Sequence, residues 1–590
     1  MTGLGGRLER RRALVHSAYR RASVPGAFLG LQVLVCGYLA DRAELRTRLG
    51  IEAISRPSDG ELLAHAYRRW GRDLQAHVLG EYAAVVVDPR ADTALLTHDA
   101  LGLAPLFYAP ARDTLAFSTH VVDLVDLASS ERLDEDYLAD FLALGSPTTE
   151  RTPFSAIRRL LPGQSLWWSD GNLHLLRSWN LADGPSLRCR DDGEYEERFR
   201  ALLGAGVRAA LETSGAAWSD LSGGLDSSSV VAVAAAGGAQ RLAAVSVVSP
   251  GYPELDERRW MRAVVDQHEV PWHQLDIETM LPFSRLPDAF LGEPAALVIE
   301  AAQLRRRDEL LAAHGVTSLL TGNGGDAVLC AFSGPIAVHL ADPLFAGRPV
   351  DALRAISAWR KGSEDVRSSS YWLLRSLAAP AVAHLRRRDI RGGVRLPPQP
   401  WIDPGYVRRM RLIDRMNASS APHCASPGRQ HLWNNLWSVA PAATTTFQRP
   451  TAYDVRSPLM YRPLVEFMAA IPWEQKVQPR CDRYLQRRAL AGVLPELVRR
   501  RASKADGSRP FIDGLRRSRE WFAYLTDDPL LAAHGIAGAG PWRSAVRAAS
   551  VGITNGDMFF LAGVAVETWL RQLRDHRRGL AAERRLSQPA

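Results

Sequence analysis

The segment Trp218-Ser219-Asp220-Leu221-Ser222-Gly223-Gly224-Leu225-Asp226-Ser227-Ser228 constrains this chain more than any other stretch. Residues 216–221 predict a strand, two glycines follow, and a serine-rich start opens a helix predicted over 228–235. Such a loop points backbone N–H groups into one concavity at the positive end of a helix, which is an anion site. The glycines let the backbone approach an oxyanion closely, and the Ser222 and Ser227 hydroxyls can donate to it. Asp226 beside an anion calls for a cation between them, so it reads as a Mg²⁺ ligand. The plain alternative, an N-capped glycine turn, explains the glycines but not Asp226. No Lys follows the glycines, so this is not a Walker loop.

The rhythm around this loop sets the fold class. Strands are predicted over 242–248 and 317–321 and helices over 194–211 and 255–267, an alternation that implies a parallel, doubly wound sheet. A second glycine cluster, Gly322-Asn323-Gly324-Gly325-Asp326, follows the strand over 317–321. In a parallel sheet both clusters lie at carboxyl ends of strands, where ligands bind, so Asp326 can join Asp226 around one Mg²⁺. From about residue 335 the chain reads as mostly helical, interrupted by Pro380, Pro397, Pro398, Pro400 and Pro404.

The amino-terminal part differs. Residues 31–35, 82–87, 93–97, 115–118 and 165–168 predict short strands, and 59–70 carries helical spacing. Tyr82-Ala83-Ala84-Val85-Val86-Val87 predicts a strand buried on both faces, in an α+β domain of packed sheets. Residues 26–40 form the longest apolar candidate, broken by Gln32, and read as one buried strand rather than a membrane span. The polar stretch 181–193 reads as a linker.

The 590 residues imply two to four domains. Arginine dominates a net charge of +9, but the basic runs at 10–12, 386–388 and 499–501 are short and not interleaved with aromatics, so no nucleic-acid partner is expected. Cys36, Cys189, Cys330, Cys424 and Cys481 are odd in number and widely spaced, which argues for a reducing compartment and against a zinc site. With no signal-like or membrane-spanning stretch, a cytoplasmic protein is expected.

With these residues in view, the Ser222–Ser227 loop resembles the pyrophosphate motif of the N-type ATP pyrophosphatases, and the chain resembles the asparagine synthetase family. The ordered matches are Ser58-Asp59-Gly60-Glu61, Gly80-Glu81-Tyr82-Ala83, Asp99 to Leu106, Glu293-Pro294, Arg456-Ser457-Pro458-Leu459, Arg483 to Arg487 and Leu494-Pro495. The resemblance implies residues 1–180 as a glutaminase-like (Ntn-type) α+β sandwich, a degenerate class II glutamine amidotransferase-like domain. It implies 181–193 as linker and 194–590 as an α/β parallel-sheet, adenine nucleotide alpha hydrolase-like synthetase domain with a large helical carboxyl-terminal part. It implies ATP and Mg²⁺ as cofactors, Leu221, Ser222, Gly223, Gly224, Asp226, Ser227, Val247 and Gly322 as nucleotide contacts, and Asp226 and Asp326 as metal ligands. Lys504 falls on the lysine that steadies pyrophosphate and the acyl-adenylate transition state.

Departures sharpen the expectation. The family's amino-terminal cysteine nucleophile is replaced by Met1-Thr2, and its Asn-Gly-Glu segment by Cys36-Gly37-Tyr38, with Cys36 reading as a buried strand residue. A dead glutaminase kept as scaffold is expected, with the nucleophile an amine on the substrate. Asn323 stands where asparagine synthetases carry Glu and β-lactam synthetases Tyr, which marks it as a second candidate catalytic position. The combination resembles lasso peptide cyclases, which join a peptide's amino terminus to an Asp or Glu side chain. That resemblance implies a precursor peptide substrate, a leader-binding protein and a leader peptidase. A β-lactam synthetase, another glutamine-independent amide ligase or a glutamine-hydrolysing asparagine synthetase is the alternative.

Overall fold

The structure, a computed structural model, describes residues 4–9, 26–52, 56–112, 114–125, 132–145, 149–181, 184–288, 290–330, 339–363, 368–385, 399–416, 421–439, 446–447, 449, 451–502, 507–553 and 558–587. Among these residues the strands form three sheets.

Two sheets belong to the amino-terminal part. One has the order β1 (Gly5–Glu9), β7 (Thr114–Ser118), β6 (Phe107–Pro110), β8 (Arg158–Arg159). The other runs β10 (Asn172–Arg177), β9 (Gln164–Ser169), β5 (Thr93–His98), β4 (Gly80–Asp88), β3 (Leu31–Leu39), β2 (Gly26–Phe28). The unbroken apolar run of β4 follows from its place between two layers. Ala83, Val85 and Val87 face the four-stranded sheet with Leu115 and Phe117, while Tyr82, Ala84 and Val86 face the helix Asp59–Trp70. That helix starts on a Ser58 cap, whose Oγ accepts from Glu61 N at 3.2 Å, and it buries Leu62, Leu63, Ala66 and Tyr67. Residues 26–40 are not one strand as expected. Leu29 (φ 53°) and Gly30 (φ 75°) turn left-handed and split the run into the hairpin β2–β3. Cys36 is buried on β3, as expected.

The third sheet is parallel throughout: β13 (Trp272–Asp276), β12 (Ala243–Val248), β11 (Ala216–Asp220), β14 (Val316–Leu320), β15 (Asp454–Arg456). From β11 the chain builds outward through β12 to β13, then returns to the other side of β11 for β14. The reversal between β11 and β14 opens a crevice at their carboxyl ends, and both glycine clusters lie there. The helix Asp192–Glu212 takes over the last two residues of the expected linker, with Asp191 as its cap. The expected helix at 255–267 is a short 3₁₀ turn, Pro253–Leu255, and then the helix Arg258–His268.

The remainder is mostly helical. Trp521, Trp542 and Trp569 from this part share a core with Phe107, Phe141 and Phe154 of the amino-terminal part. Polar bonds tie the parts as well: Ser457 N donates to Glu81 Oε1 at 2.8 Å, Trp179 Nε1 to Glu466 Oε1 at 2.7 Å, and Arg462 Nη2 to Ala76 O at 2.8 Å. Among the described residues no helix is long and apolar enough to cross a membrane.

Candidate functional site

Strand β11 ends at Asp220, and its exit is pinned. Leu221 N donates to Val245 O at 2.9 Å, and Leu221 O accepts from Ser246 Oγ at 2.5 Å. Gly223 takes φ +71°, and a Cβ there would lie 2.9 Å from Trp260 Cβ, so the turn requires glycine. The helix then begins at Leu225 rather than at residue 228 as expected. Asp226 and Ser227 therefore stand in its first turn, where backbone N–H groups have no partner within the helix. Ser222 and Ser227 are bonded to each other, Oγ to Oγ at 3.0 Å, and Ser222 N donates to Ser227 Oγ at 3.1 Å. The two hydroxyls thus brace the loop as well as facing the cleft.

The second glycine cluster closes against the first. A Cβ on Gly322 would lie 2.7 Å from Ser227 N, and one on Gly325 would lie 2.5 Å from Asp226 Cγ. Glycine at these two positions is what lets the loops touch. A cleft of about 550 Å³ results, lined by Leu221, Ser222, Gly224, Asp226, Ser227, Val247, Gly322, Asn323 and Asp326. Gly223 shapes the turn behind this wall, and Val247 presents a 39 % exposed side chain on β12.

Four arginines also line the cleft, and sequence reasoning assigned none of them a role: Arg307, Arg483, Arg487 and Arg501. Arg501 bonds Gly223 O at 3.0 Å, pairs with Glu257 and stacks 4.1 Å over Trp260, so it holds the loop from outside. Arg483 Nη2 contacts Asp226 Oδ2 at 2.8 Å and also Asp326 Oδ1. Both carboxylates thus reach one cationic nitrogen, the spacing that a shared Mg²⁺ needs. Among the described residues no three His, Cys, Asp or Glu gather into a metal cluster, so Mg²⁺ would complete its oxygen shell from phosphate and water. Burial raises the Asp226 carboxyl above its ordinary value, opposed by Arg483. The signal that could have found Arg483 and Arg487 was their position inside the Arg483 to Arg487 match; Arg307 and Arg501 lie in none of the matches. Lys504 lies outside the described residues; Arg501 and Ala502, just before it, line the cleft.

A second cavity, of about 500 Å³, meets the cleft at Asn323 and Gly324. Its walls come from both parts of the molecule. Gly37, Tyr38, Glu81, Leu103 and Phe141 come from the amino-terminal part; Pro294, Ala295, Leu297, Val439, Phe447 and Arg456 come from the carboxyl-terminal part. Gly324 has φ +80°, with Met460 Sδ where a Cβ would go, so the passage is built around a bare backbone. Tyr38 OH donates to Glu81 Oε1 at 3.0 Å, and the Arg456 guanidinium lies 4.4 Å over the Tyr38 ring. Burial pushes Glu81 up to about 7, assisted by Asp99 and opposed by Ser457 N–H, Tyr38 and Arg456.

Two family models match the chain. Residues 198–571 match the asparagine synthase family model, and residues 30–179 match the glutamine amidotransferase domain model. The chain is 25% identical over 526 residues to asparagine synthetase [glutamine-hydrolyzing] 3 of Bacillus subtilis, covering 81% of this chain and 77% of that one. It is 23% identical over 305 residues to putative asparagine synthetase [glutamine-hydrolyzing] 2 of Methanocaldococcus jannaschii, covering 50% and 57%. A solved structure of glutamine phosphoribosylpyrophosphate amidotransferase from B. subtilis with ADP and GMP is 14% identical, covering 52% of this chain and 75% of that one. Its TM-score is 0.21. With an amino-terminal glutamine amidotransferase-like domain and a synthase model spanning more than half its length, the chain belongs to the asparagine synthase family.

Proposed function

We propose that this chain is a lasso peptide cyclase: an ATP-dependent ligase that adenylates an Asp or Glu side chain of a precursor peptide and closes a macrolactam with the peptide's amino-terminal amine. The observation that carries the reading is the cavity joined to the nucleotide cleft at Asn323 and Gly324. It is mainly apolar-walled, reaches between the two parts of the molecule and has room beyond a single small amino acid, which suits the reacting end of a peptide.

The amino-terminal part contributes walls to this cavity. Tyr38 stands where the resemblance expects the carboxylate of a glutamine-binding segment, and its phenol is committed to Glu81 and Arg456. In this reading the amino-terminal part shapes the acceptor chamber instead of supplying ammonia. Carrying amine and carboxylate on one peptide also raises their effective concentration.

The chain's own groups have defined work. The first-turn N–H groups after Gly224 and the cleft arginines bind the phosphates. Asp226 and Asp326 would hold Mg²⁺, which neutralises pyrophosphate charge when bound. Asn323, at the junction, is placed to orient the carboxyl under activation. Lys504 is assigned to charge developing on the phosphoryl group. A leader-binding protein and a leader peptidase complete the proposed system, in the cytoplasm.

The test offers ATP, Mg²⁺ and synthetic core peptides with a small first residue and an Asp or Glu several residues on. AMP, pyrophosphate and a peptide lighter by one water, with tandem mass spectrometry placing the ring between residue one and the acidic side chain, support the reading. The name of the B. subtilis relative favours a second one, glutamine-dependent amidation of aspartate. Glutamate release from glutamine above background, together with asparagine formation, would replace the first with the second. Cyclisation of a small β-amino acid alone would make it a β-lactam synthetase.

A further inference from the structure

We propose that Glu81, through its Oε2, holds the attacking amine in the interdomain cavity and takes its proton. This rests on the reading of that cavity as the acceptor chamber. Glu81 is the second residue of β4, at the edge where the amino-terminal part meets the synthetase part. Its Oε1 accepts from Ser457 N at 2.8 Å and from Tyr38 OH at 3.0 Å, which fixes the carboxyl plane. Oε2 has no hydrogen-bond partner among the described residues, and the side chain lines the cavity that leads to Asn323. A carboxylate oxygen that opens into a mainly apolar chamber is free to accept from a cationic or donor group of a ligand.

The groups around Glu81 suit a proton acceptor. Tyr38 on β3 and Ser457 N after β15 donate to it, Arg456 on β15 stacks on Tyr38, and Asp99 beyond β5 repels its charge. Asp454 also lines the cavity but is paired with Arg456 at 3.3 Å. Burial and Asp99 raise Glu81 to about 7, near the working pH at which a general base is most effective. The chemistry balances. The amine nitrogen bonds to the activated carbonyl carbon, the bond from that carbon to the phosphate oxygen breaks, AMP leaves, and the ammonium proton passes to Glu81.

The competing role is a structural one, with Glu81 pinning Ser457 across the domain junction. The two roles separate by nucleophile. ATP–pyrophosphate exchange with the full chain first identifies an activated carboxylate among core peptides, free aspartate and β-amino acids. Which class responds judges the proposed function and not Glu81. The activated carboxylate is then offered its own amine, or methylamine where it has none, against hydroxylamine, which is largely unprotonated at neutral pH and needs no base. In Glu81→Gln, which keeps an acceptor for Ser457 and Tyr38, the ratio of amide to hydroxamate should fall roughly 10²-fold. An unchanged ratio, or equal loss of both products, overturns the proposal. A second variant guards against misfolding. Tyr38→Phe removes a donor that favours the charged carboxylate, so the acid limb of amide formation should move to higher pH while hydroxamate formation keeps its profile. No movement of that limb also overturns it.

Discussion

Two chambers of similar size meet at Asn323 and Gly324, and they are built on opposite principles. The nucleotide cleft is walled by two short loops, backbone N–H groups, four arginines and several aspartates. The interdomain cavity is walled by side chains from segments hundreds of residues apart, most of them apolar, with Glu81 and Asp454 as its acidic members. The difference is physical. Binding a polyphosphate needs consecutive donors and charge, which a local loop supplies. Selecting an acceptor, the role proposed for the cavity, needs shape, which only the assembled fold supplies.

The harshest test of the comparison removes the charge of the cleft. Asp226→Asn and Asp326→Asn should each cut ATP–pyrophosphate exchange by about 10²–10³-fold with folding retained. Asp226 should cost more: its side chain is 14% exposed against 60% for Asp326, so solvent replaces its charge less readily. The double variant should lose less than the product of the two, on the proposal that both carboxylates serve one cation. Near-normal exchange in either variant would remove that residue from the metal site. Lys504→Ala comes next, with a fall in kcat of roughly 10²-fold and little change in the KM for ATP. A variant altered only in ATP affinity would place Lys504 outside the reacting centre.

These two predictions concern the chamber that is legible in sequence. Strand β11, its glycine turn and the second cluster could be read because anion binding constrains neighbouring residues together. The helix Asp59–Trp70 was legible because its apolar residues keep helical spacing within one segment. The hairpin at Leu29 and Gly30 was not, because a leucine in the left-handed region carries no signal. Arg483 was visible only as part of a motif, since its role depends on two carboxylates that arrive from residues 226 and 326. The interdomain cavity was invisible: Gly37, Phe141, Pro294 and Phe447 share no spacing, only a place.

A milder perturbation separates the chambers. Ala296 lines the interdomain cavity with its side chain exposed to it, so Ala296→Trp adds bulk without overpacking a core. Amide formation from a core peptide should fall about tenfold or more through loss of acceptor fit. Binding of a non-hydrolysable ATP analogue, followed by calorimetry, should keep the wild-type affinity. If nucleotide affinity falls in step, the two chambers are one site and the comparison fails.

The smallest effect is on stability, and its sign is diagnostic. Burial raises Glu81 from an ordinary 4.5 to about 7, so between these values the folded chain binds a proton that the unfolded chain does not. Stability from this group is therefore fully present below 4.5 and is lost as pH rises from there through about 7. Glu81→Gln keeps the acceptor for Ser457 and Tyr38 but removes the charge. It should gain about 1 kcal/mol over wild type at pH well above the raised value, and lose that advantage below it. The gain is held to this size because cavity water reaches the side chain, and because Asp99, also raised to about 7 by burial, shares the titration. Thermal melting of both proteins across this range reads it directly. Two parallel melting profiles would mean that Glu81 is held as an ordinary paired carboxylate. A wild-type penalty confined to high pH would mean that the apolar chamber keeps a strained carboxylate, the one place where it resembles the cleft beside it.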